Sequence, residues 1–390
     1  MHDHALRARR RRGRFWVVAA VAAFGLVTPS TALAREAPID SVAPVDGATH
    51  VLAPQYIPAC PDGYEAVYLE GAWDCQPVVP DPPFVPHYEG PTFNVPGKKV
   101  VTLGDSYSSG TGIWKEDSSY DEQYGGYQSA GLALTGRSDQ ECWRELQDTP
   151  GPRRAAATGA TSIFLACKGA EVSHIRNQLT VLQGRWPSSA AAGFSSTELL
   201  LTAGGNDLRT NRGEDWPSLL ERCIMEINPF GGCHGNSNNQ ISNFAAIQSS
   251  VTSLYTSIVT AAPNAKIRVM GYPRVMSPSK NWLGIWQCPD VTGVTGNEAR
   301  WMDQQIDALN SRLLTAVNSV KAAKPAVDLK FVSVTSTLTV GACNGQQSFA
   351  HINDRVVAWS GSGILLTSDA SFHPTRRGYD AYLASFTASL

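Results

Sequence analysis

The chain has 390 residues, of which 43% are hydrophobic and 17% are charged, and it carries eight cysteines. This composition is sufficient for one large packed domain or two smaller ones, and it excludes a largely disordered protein. The formal net charge is −2, without a basic stripe, so the sequence argues against a nucleic-acid-binding protein.

The first 34 residues have the pattern of a secretion signal. Six arginines within positions 7–14 precede an apolar run over 15–27, and Ala32-Leu33-Ala34 has the small-residue pattern of a cleavage site. The apolar run is too short to span a bilayer, so we expect no stable membrane anchor. Without residues 1–34 the chain has 26 Lys and Arg against 33 Asp and Glu, a net charge of −7. The sequence therefore predicts a signal peptide over 1–34 and a secreted, extracellular protein.

Residues 35–96 differ in composition from the rest of the chain. Proline is dense there, most of all over 77–86, which excludes a helix or a central strand and predicts an extended linker. Before the linker, the segment from Cys60 to Cys75 predicts a small disulfide-stapled hairpin. Its aromatic residues indicate a miniature core, with a sugar-stacking face as the alternative. We therefore treat 35–96 as an extension that precedes the main domain.

From residue 97 onward, short apolar segments alternate with helical patterns. The apolar segments lack a clean period of two, as expected of strands buried on both faces of a parallel sheet. They cover 99–103, 162–166, 198–202, 267–271 and 329–334, and the clearest helical patterns cover 241–260, 297–320 and 375–388. The alternation predicts an α/β domain over 97–390: a three-layer α/β/α sandwich with a parallel sheet and right-handed crossovers.

Two details of this domain are also predicted. The helix over 297–320 carries an apolar stripe formed by Ile306, Leu309, Leu313, Leu314 and Val317. Residues 207–240 and 272–296 show no clear periodicity, and we expect long loops there at the carboxyl ends of strands, where substrate would be held.

The first strand of the domain leads directly into Gly104-Asp105-Ser106, and small residues follow. Ser106 therefore lies at the carboxyl end of a buried strand and near a helix N-terminus, where parallel sheets hold their chemistry. A serine hydroxyl needs a base to become a nucleophile, and His373 is the best candidate among the histidines. It stands in Ser371-Phe372-His373-Pro374, at the start of the last helix. On its own, the Gly-Asp-Ser sequence is more typical of a surface turn, and it is the histidine motif at the far end of the chain that favours a catalytic serine.

Two further motifs lie between Ser106 and His373. They are Ala166-Cys167-Lys168-Gly169-Ala170 and Thr202-Ala203-Gly204-Gly205-Asn206-Asp207, each following a predicted strand. In this order, the four motifs resemble those of the SGNH hydrolases, also called the GDSL esterase/lipase family, and specifically its secreted actinobacterial lipase and phospholipase branch. The resemblance covers about 97–390 and implies a flavodoxin-like α/β/α fold.

The resemblance also implies a role for each motif residue. Ser106 would be the nucleophile and His373 the general base. The backbone N–H groups of Ser106 and Gly169 and the side-chain amide of Asn206 would form the oxyanion hole. Glycine at position 169 suits a backbone that approaches the bound acyl group closely.

The group that orients His373 is less clear from the sequence. Many members of the family carry an aspartate three residues before the histidine, but Ala370 occupies that position here. Asp369 lies one residue too early. In parts of the branch a main-chain carbonyl two residues before the histidine takes this role, which here is the carbonyl of Ser371. We expect a Ser106–His373 dyad oriented by Ser371, with Asp369 as the alternative.

The eight cysteines predict four disulfides, because their number is even and the chain carries a secretion signal. They are Cys60, Cys75, Cys142, Cys167, Cys223, Cys233, Cys288 and Cys343. Many connectivities are possible, and neighbourhood in the sequence favours Cys60–Cys75 and Cys223–Cys233. The resemblance implies Cys142–Cys167, Cys223–Cys233 and Cys288–Cys343. No CxxC pair is present, so a zinc site is not expected.

These features predict a secreted serine esterase or lipase, a class that includes phospholipase A, that acts as a monomer on an acyl-ester or lipid substrate without metal or cofactor. A carbohydrate O-deacetylase is a second hypothesis, because it would use the same four positions. A third is a catalytically inactive wall- or matrix-binding protein that has kept the fold. The intact set of four motifs argues against this last alternative.

Overall fold

The structure is a computed structural model. It describes residues 64–69, 72–77, 97–113, 127–129, 143–145, 148–185, 197–225, 233–289, 291, 293–343, 349–353, 357–359, 365–367 and 371–390. The chain divides into two compact units, residues 1–80 and 81–390. The predicted signal peptide and most of the proline-rich linker lie outside the described residues, so those two assignments and the predicted domain boundaries stay predictions.

In the first unit, the described residues form one antiparallel hairpin. Its strands are β1 (Tyr64–Leu69) and β2 (Ala72–Pro77), with Tyr64 opposite Pro77 and Leu69 opposite Ala72. A hairpin was expected in this segment. Cys60 lies outside the described residues, and Cys75 is described only as part of strand β2, so the disulfide between them stays a prediction.

The second unit is built on a parallel sheet of five strands. They are β3 (Lys99–Gly104), β6 (Thr161–Phe164), β7 (Thr197–Thr202), β8 (Lys266–Met270) and β11 (Asp328–Val332). All six residues of β3 are buried, as the apolar run in the sequence indicates for a central strand covered on both faces. The five predicted strands are thus confirmed, to within two residues at each end.

Strand order in this sheet is β11-β8-β7-β3-β6. The chain leaves β3 to form β6 on one side, and then crosses back to form β7 on the other side. This reversal next to β3 is a topological switch point, where open α/β sheets leave a crevice at the carboxyl ends of their strands. The loops after β3, β6 and β7 carry Ser106, Gly169 and Asn206, so the topology brings three of the four motifs to one crevice.

Helices cover both faces of the sheet. The helices are α1 (Ser106–Ser109), α2 (Pro150–Thr158), α3 (Val172–Arg185), α4 (Trp216–Met225), α5 (Phe244–Ala261), α6 (Gly296–Ala323) and α7 (Arg376–Ser389). Helices α2 and α7 pack together as one layer, and α5 packs against α3 and α6 in the other. The predicted three-layer α/β/α sandwich is therefore confirmed. Of the described helices, none combines the length and the hydropathy needed to cross a bilayer.

Three short antiparallel strand pairs are described in the second unit besides the parallel sheet. They are β4 (Tyr127–Ser129) with β5 (Trp143–Glu145), β9 (Ser279–Lys280) with β10 (Trp286–Gln287), and β12 (Val357–Trp359) with β13 (Leu365–Thr367). The β9–β10 hairpin lies within 272–296, which was predicted to be a loop without regular structure, so that prediction needs correction at four residues.

Two other expectations are wrong. Residues 207–240 are not an irregular loop throughout, because α4 occupies 216–225 and two short 3₁₀ turns follow it. In addition, Leu314 does not belong to the apolar stripe of α6, since its side chain is largely exposed while Leu313 is fully buried. Successive residues on a helix are about 100° apart, so Leu314 faces solvent when Leu313 points into the core.

Candidate active site

Ser106 follows the central strand through a turn that only glycine permits. Gly104 has φ of +122°, and a Cβ there would lie 2.5 Å from the carbonyl oxygen of Thr202 on the neighbouring strand. Asp105 caps the short helix α1 by accepting the N–H of Tyr107 at 3.0 Å. Gln178 of α3 holds the turn by pairing with both the N–H and the carbonyl of Gly104, at 2.8 and 2.9 Å. Ser106 is thereby fixed at the carboxyl edge of β3.

Asp105 is fully buried and braces the loops on which the site is built. Its carboxylate accepts the hydroxyl of Thr202 at 2.6 Å and that of Tyr272, whose oxygen in turn accepts the N–H of Gly205 at 3.0 Å. Burial raises the pKa of Asp105, while the hydrogen bonds from Thr202, Tyr272 and Tyr107 act in the opposite direction. The loops after β3, β7 and β8 are therefore joined through one carboxylate.

His373 lies between Ser106 and the carbonyl of Ser371. Its Nε2 is 2.8 Å from Ser106 Oγ, and its Nδ1 is 3.0 Å from the Ser371 oxygen. Because a carbonyl oxygen only accepts hydrogen bonds, Nδ1 must carry the proton in the neutral ring, which leaves the Nε2 lone pair facing the serine hydroxyl. The structure thus brings together the predicted dyad and the predicted carbonyl. Asp369 lies outside the described residues.

The segment that carries His373 is held in an unusual backbone conformation. Phe372 has φ of +60°, a region that favours glycine. Its N–H donates to the carbonyl of Asn353 at 3.1 Å, and the N–H of Asn353 donates to the carbonyl of His373 at 2.9 Å. The hydroxyl of Tyr107 adds a 2.8 Å hydrogen bond to the Phe372 carbonyl. Together, these hydrogen bonds restrain the backbone of this segment and hold the histidine in position.

Asn206 is held from two sides in the turn after β7. Its side-chain Nδ2 donates to the carbonyl of Ala170 at 3.1 Å, and its own carbonyl accepts Arg209 Nη1 at 2.6 Å. The same guanidinium forms a 2.6 Å ion pair with Glu171. An amide nitrogen has two hydrogens, so Nδ2 keeps one for a further acceptor.

Asp207, the residue after Asn206, joins two of the motif-bearing turns. Its carboxylate accepts the N–H of Val172, in the first turn of α3, at 3.0 Å. Burial raises the pKa of Asp207 to about 6. Asp207, like Asp105, therefore braces loops.

Gly169 completes a group of donors at the crevice. It lies in the turn after β6 with φ of +73°, and Asn206 reaches this turn through Ala170. Within the described part of the chain, the N–H groups of Ser106 and Gly169 have no protein acceptor. Two unengaged backbone donors and one amide hydrogen therefore stand at the loops beside the Ser106 hydroxyl, which is what an oxyanion hole requires.

A cavity of about 240 Å³ adjoins the dyad. One wall is apolar and comes from α4, α6 and the His373 segment: Trp216, Leu220, Ile306 and Phe372. Lys168 and Glu221 also line the cavity. Neither α4 nor Tyr272 was recognised in the sequence as part of the site. The helical spacing of Trp216, Leu219, Leu220, Cys223 and Ile224 was a usable signal for α4, whereas nothing local marks Tyr272.

Two of the predicted disulfides are confirmed. Cys223 at the end of α4 pairs with Cys233, and Cys288 pairs with Cys343. Cys167 is also disulfide-bonded, and its expected partner Cys142 lies outside the described residues. In the described segments there is no free cysteine.

In the described segments, no three or more His, Cys, Asp or Glu side chains form a cluster that could hold a metal ion.

No protein-family model matches the chain. A curated relative, Lipase 1 of Streptomyces coelicolor, is 27% identical over 194 residues, which are 47% of this chain and 56% of the relative. The match thus spans little more than half the length of that relative.

Solved structures extend the likeness over three quarters of the chain. A phospholipase A1 from Streptomyces albidoflavus aligns with a TM-score of 0.51 and 24% identity, covering 75% of this chain and 99% of that one. An extracellular lipase from Streptomyces rimosus aligns with a TM-score of 0.48 and 20% identity, covering 75% and 100%. These likenesses agree with the resemblance to the SGNH hydrolases seen in the sequence, and the chain has the fold of the phospholipase A1 structure.

Proposed function

We propose that the protein is a secreted serine hydrolase that cleaves carboxylic esters, with Ser106 as nucleophile and His373 as general base. One observation carries the proposal: the 2.8 Å contact from His373 Nε2 to Ser106 Oγ, with Nδ1 held by the Ser371 carbonyl on the opposite side of the ring. This is the arrangement that makes a serine hydroxyl a nucleophile at neutral pH.

In the first half-reaction, Ser106 Oγ attacks the acyl carbon while its proton passes to His373 Nε2. The negative charge that develops on the carbonyl oxygen is met by the N–H groups of Ser106 and Gly169 and by Asn206 Nδ2, each donor contributing about 3 kcal/mol. When the tetrahedral intermediate collapses, His373 gives the proton to the leaving alcohol oxygen, and the acyl group stays on Ser106.

In the second half-reaction, water repeats the sequence. His373 takes a proton from the water as its oxygen attacks the acyl carbon, and the same three donors stabilise the second oxyanion. The carbon–oxygen bond to Ser106 then breaks, the proton returns to Oγ, and a carboxylic acid leaves. The Ser371 carbonyl need only fix the ring and its tautomer, so the cycle requires no carboxylate.

The acyl group is assigned to the apolar wall of the cavity. Trp216, Leu220 and Ile306 are buried; the two aliphatic side chains offer only carbon surface, and Trp216 adds the faces of its indole ring. A lipid-type acyl chain gains from burial against such a wall, whereas a sugar ring would leave its hydroxyls unpaired there. The cavity therefore favours a lipid ester over a carbohydrate O-acetyl group. The disulfides support secretion, because they persist in oxidising surroundings.

The test is hydrolysis of p-nitrophenyl esters by the purified protein and by Ser106→Ala. We expect Ser106→Ala to lose about four orders of magnitude in kcat/KM with unchanged thermal unfolding. Ser218→Ala is a matched control, because Ser218 also lines the cavity but has no histidine partner among the described residues. Activity retained in Ser106→Ala would refute the nucleophile. Activity confined to acetylated polysaccharide would instead favour the deacetylase, and no activity on either class would favour the inactive binding protein.

A further inference from the structure

The hairpin over 279–287, formed by β9, β10 and the turn between them, presents an apolar tip to solvent. Trp282 is 90% exposed, Leu283 is 59% exposed and Ile285 is 57% exposed. Monomeric soluble proteins seldom expose a cluster of large apolar side chains without a partner for it. The tip projects from a pair of two-residue strands, so it offers no groove into which a helix or strand could dock.

The backbone of this tip is satisfied internally. The Asn281 side chain accepts the N–H groups of Leu283 and Ile285 at 3.0 and 2.9 Å. The N–H of Gly284 donates to the Asn281 carbonyl, and that of Asn281 to the Ile285 carbonyl, both at 2.9 Å. A protein segment that enters a lipid phase must satisfy its peptide groups itself, because lipid tails offer no hydrogen bonds. This turn meets that requirement for four of its N–H groups.

The base of the hairpin carries positive charge. Lys280 Nζ lies 4.8 Å and the Arg300 guanidinium carbon 5.3 Å from the centre of the Trp286 ring. Both cations are exposed, and both lie near the Trp286 ring at the base of the hairpin. Aromatic and aliphatic side chains ahead of basic ones are the arrangement that favours insertion at a membrane surface with anionic headgroups.

The hairpin is anchored at the edge of the sheet that carries the candidate site. It belongs to the loop after β8, in which Tyr272 lines the cavity, and Arg300 belongs to the first turns of α6. The disulfide from Cys288 to Cys343 secures the end of the hairpin. A lipid surface that contacts the tip would therefore meet a loop that also contributes to the crevice wall.

We propose that the 279–287 hairpin anchors the protein at a phospholipid–water interface. Trp282, Leu283 and Ile285 insert among the lipids, and Lys280 and Arg300 contact anionic headgroups. The inference deepens the proposed function, because it assigns an aggregated lipid as the physical form of the substrate. It concerns binding and can be tested without turnover.

The experiment measures partitioning of the full-length Ser106→Ala protein onto phosphatidylcholine vesicles, with and without phosphatidylglycerol. We expect the combined change Trp282→Ser, Leu283→Ser and Ile285→Ser to lower the partition coefficient by about tenfold or more. Leu314→Ser is the matched control, since Leu314 is an exposed leucine on α6 outside the hairpin, and it should have no effect. Lys280→Gln should weaken binding only to vesicles that contain phosphatidylglycerol.

Several results would overturn the inference. The first is that the Ser106→Ala parent does not bind the vesicles, and the second is that the parent and the triple variant bind equally well. The third is that, without lipid, the parent is a dimer and the triple variant a monomer, which would assign the tip to contact with a second copy of the chain. In a chain that keeps Ser106, the triple change should leave kcat/KM for soluble p-nitrophenyl acetate unchanged, which shows that the variant is folded. If kcat/KM falls, the vesicle experiment is repeated with Trp282→Ser alone. Hairpin-dependent binding by a protein that hydrolyses no ester would keep this inference and reject the proposed function.

Discussion

The residue after Ser106 is hydrogen-bonded to the residue before His373. The hydroxyl of Tyr107 donates to the Phe372 carbonyl at 2.8 Å, and the Tyr107 ring lies 5.0 Å from the imidazole, centre to centre. The two halves of the dyad are 267 positions apart in the chain, so their pairing depends on contacts between the segments that carry them. Tyr107 supplies such a contact from the nucleophile's own turn.

We therefore predict that Tyr107→Phe lowers kcat by about tenfold with little change in KM. The ring remains, but the segment with Phe372 at φ of +60° loses a restraint, and His373 samples positions away from Ser106. Steady-state kinetics on a soluble ester measure the effect. Tyr382→Phe removes a buried tyrosine hydrogen bond to another carbonyl, that of Gly271, away from the dyad, and it should leave kcat intact. Equal losses in both variants would argue for general destabilisation.

The second prediction concerns the group that orients the histidine. Since the Ser371 carbonyl lies 3.0 Å from His373 Nδ1, Asp369→Ala should lose less than about tenfold in kcat/KM, whereas His373→Ala should be as damaging as Ser106→Ala. Thermal unfolding of all three variants controls for folding. A loss of about a thousandfold or more in a folded Asp369→Ala protein would show that the aspartate completes a triad.

How well the sequence predicts this molecule depends on how local the signal is. The strands are predictable because burial on both faces demands continuous apolar runs, and Ser106, Gly169 and Asn206 are recognisable because each stands just after such a run. Helix α4 carries an apolar stripe at the spacing of a helix, but glycines, prolines and charged residues around it hide the pattern. A short helix in a mixed segment is where periodicity is weakest.

Contacts between distant segments leave no such signal. Tyr272 donates to Asp105 across 167 positions, and Tyr107 donates to Phe372 across 265. Nothing local marks Tyr272, and the place of Tyr107 beside Ser106 does not reveal which distant segment its hydroxyl contacts. Each motif identifies one loop, and these tyrosines connect one loop to another. The motif residues could thus be named from the sequence, but the side chains that set their mutual positions could not.

The apolar wall of the cavity leads to a prediction about chain length. Leu220→Trp should fill space beside Trp216 and Ile306, and so shift the ratio of kcat/KM for p-nitrophenyl palmitate to that for the acetate downward by about tenfold. Ile306→Leu, which conserves volume, is the control and should change the ratio little. An unchanged ratio in Leu220→Trp would mean that the acyl chain binds elsewhere.

The two disulfides should differ in what they contribute to stability. Cys288–Cys343 spans 55 positions and Cys223–Cys233 spans 10. Loop-closure entropy predicts losses of about 4 and about 3 kcal/mol in the free energy of unfolding when the pairs are replaced by alanine. Urea unfolding of the two double variants measures the difference. A larger loss for the shorter loop would mean that packing of α4, and not chain entropy, dominates.

The last prediction concerns His351 and the stability of the folded protein in acid. His351 Nδ1 accepts the N–H of Val340 at 3.2 Å, and the His351 carbonyl accepts the N–H of Thr375, the cap of α7, at 2.9 Å. Burial, followed by the positive charge of Arg377, lowers the pKa of His351. The folded protein therefore keeps this imidazole neutral at a pH where the unfolded chain has already taken up a proton. The stability that depends on the neutral ring is complete above the unfolded pKa of about 6.5 and is lost as the pH falls from there through the lowered folded pKa.

His351→Asn should remove this dependence, because the asparagine oxygen can accept the Val340 N–H in place of Nδ1 and does not titrate. Free energies of unfolding from urea titrations at pH 8 and at successively lower pH give the comparison, and the carboxylates that titrate in both proteins cancel in the difference. We expect the wild type to lose stability relative to His351→Asn as the pH falls below about 6.5. A difference that stays constant with pH would show that the protonation of His351 is not coupled to folding.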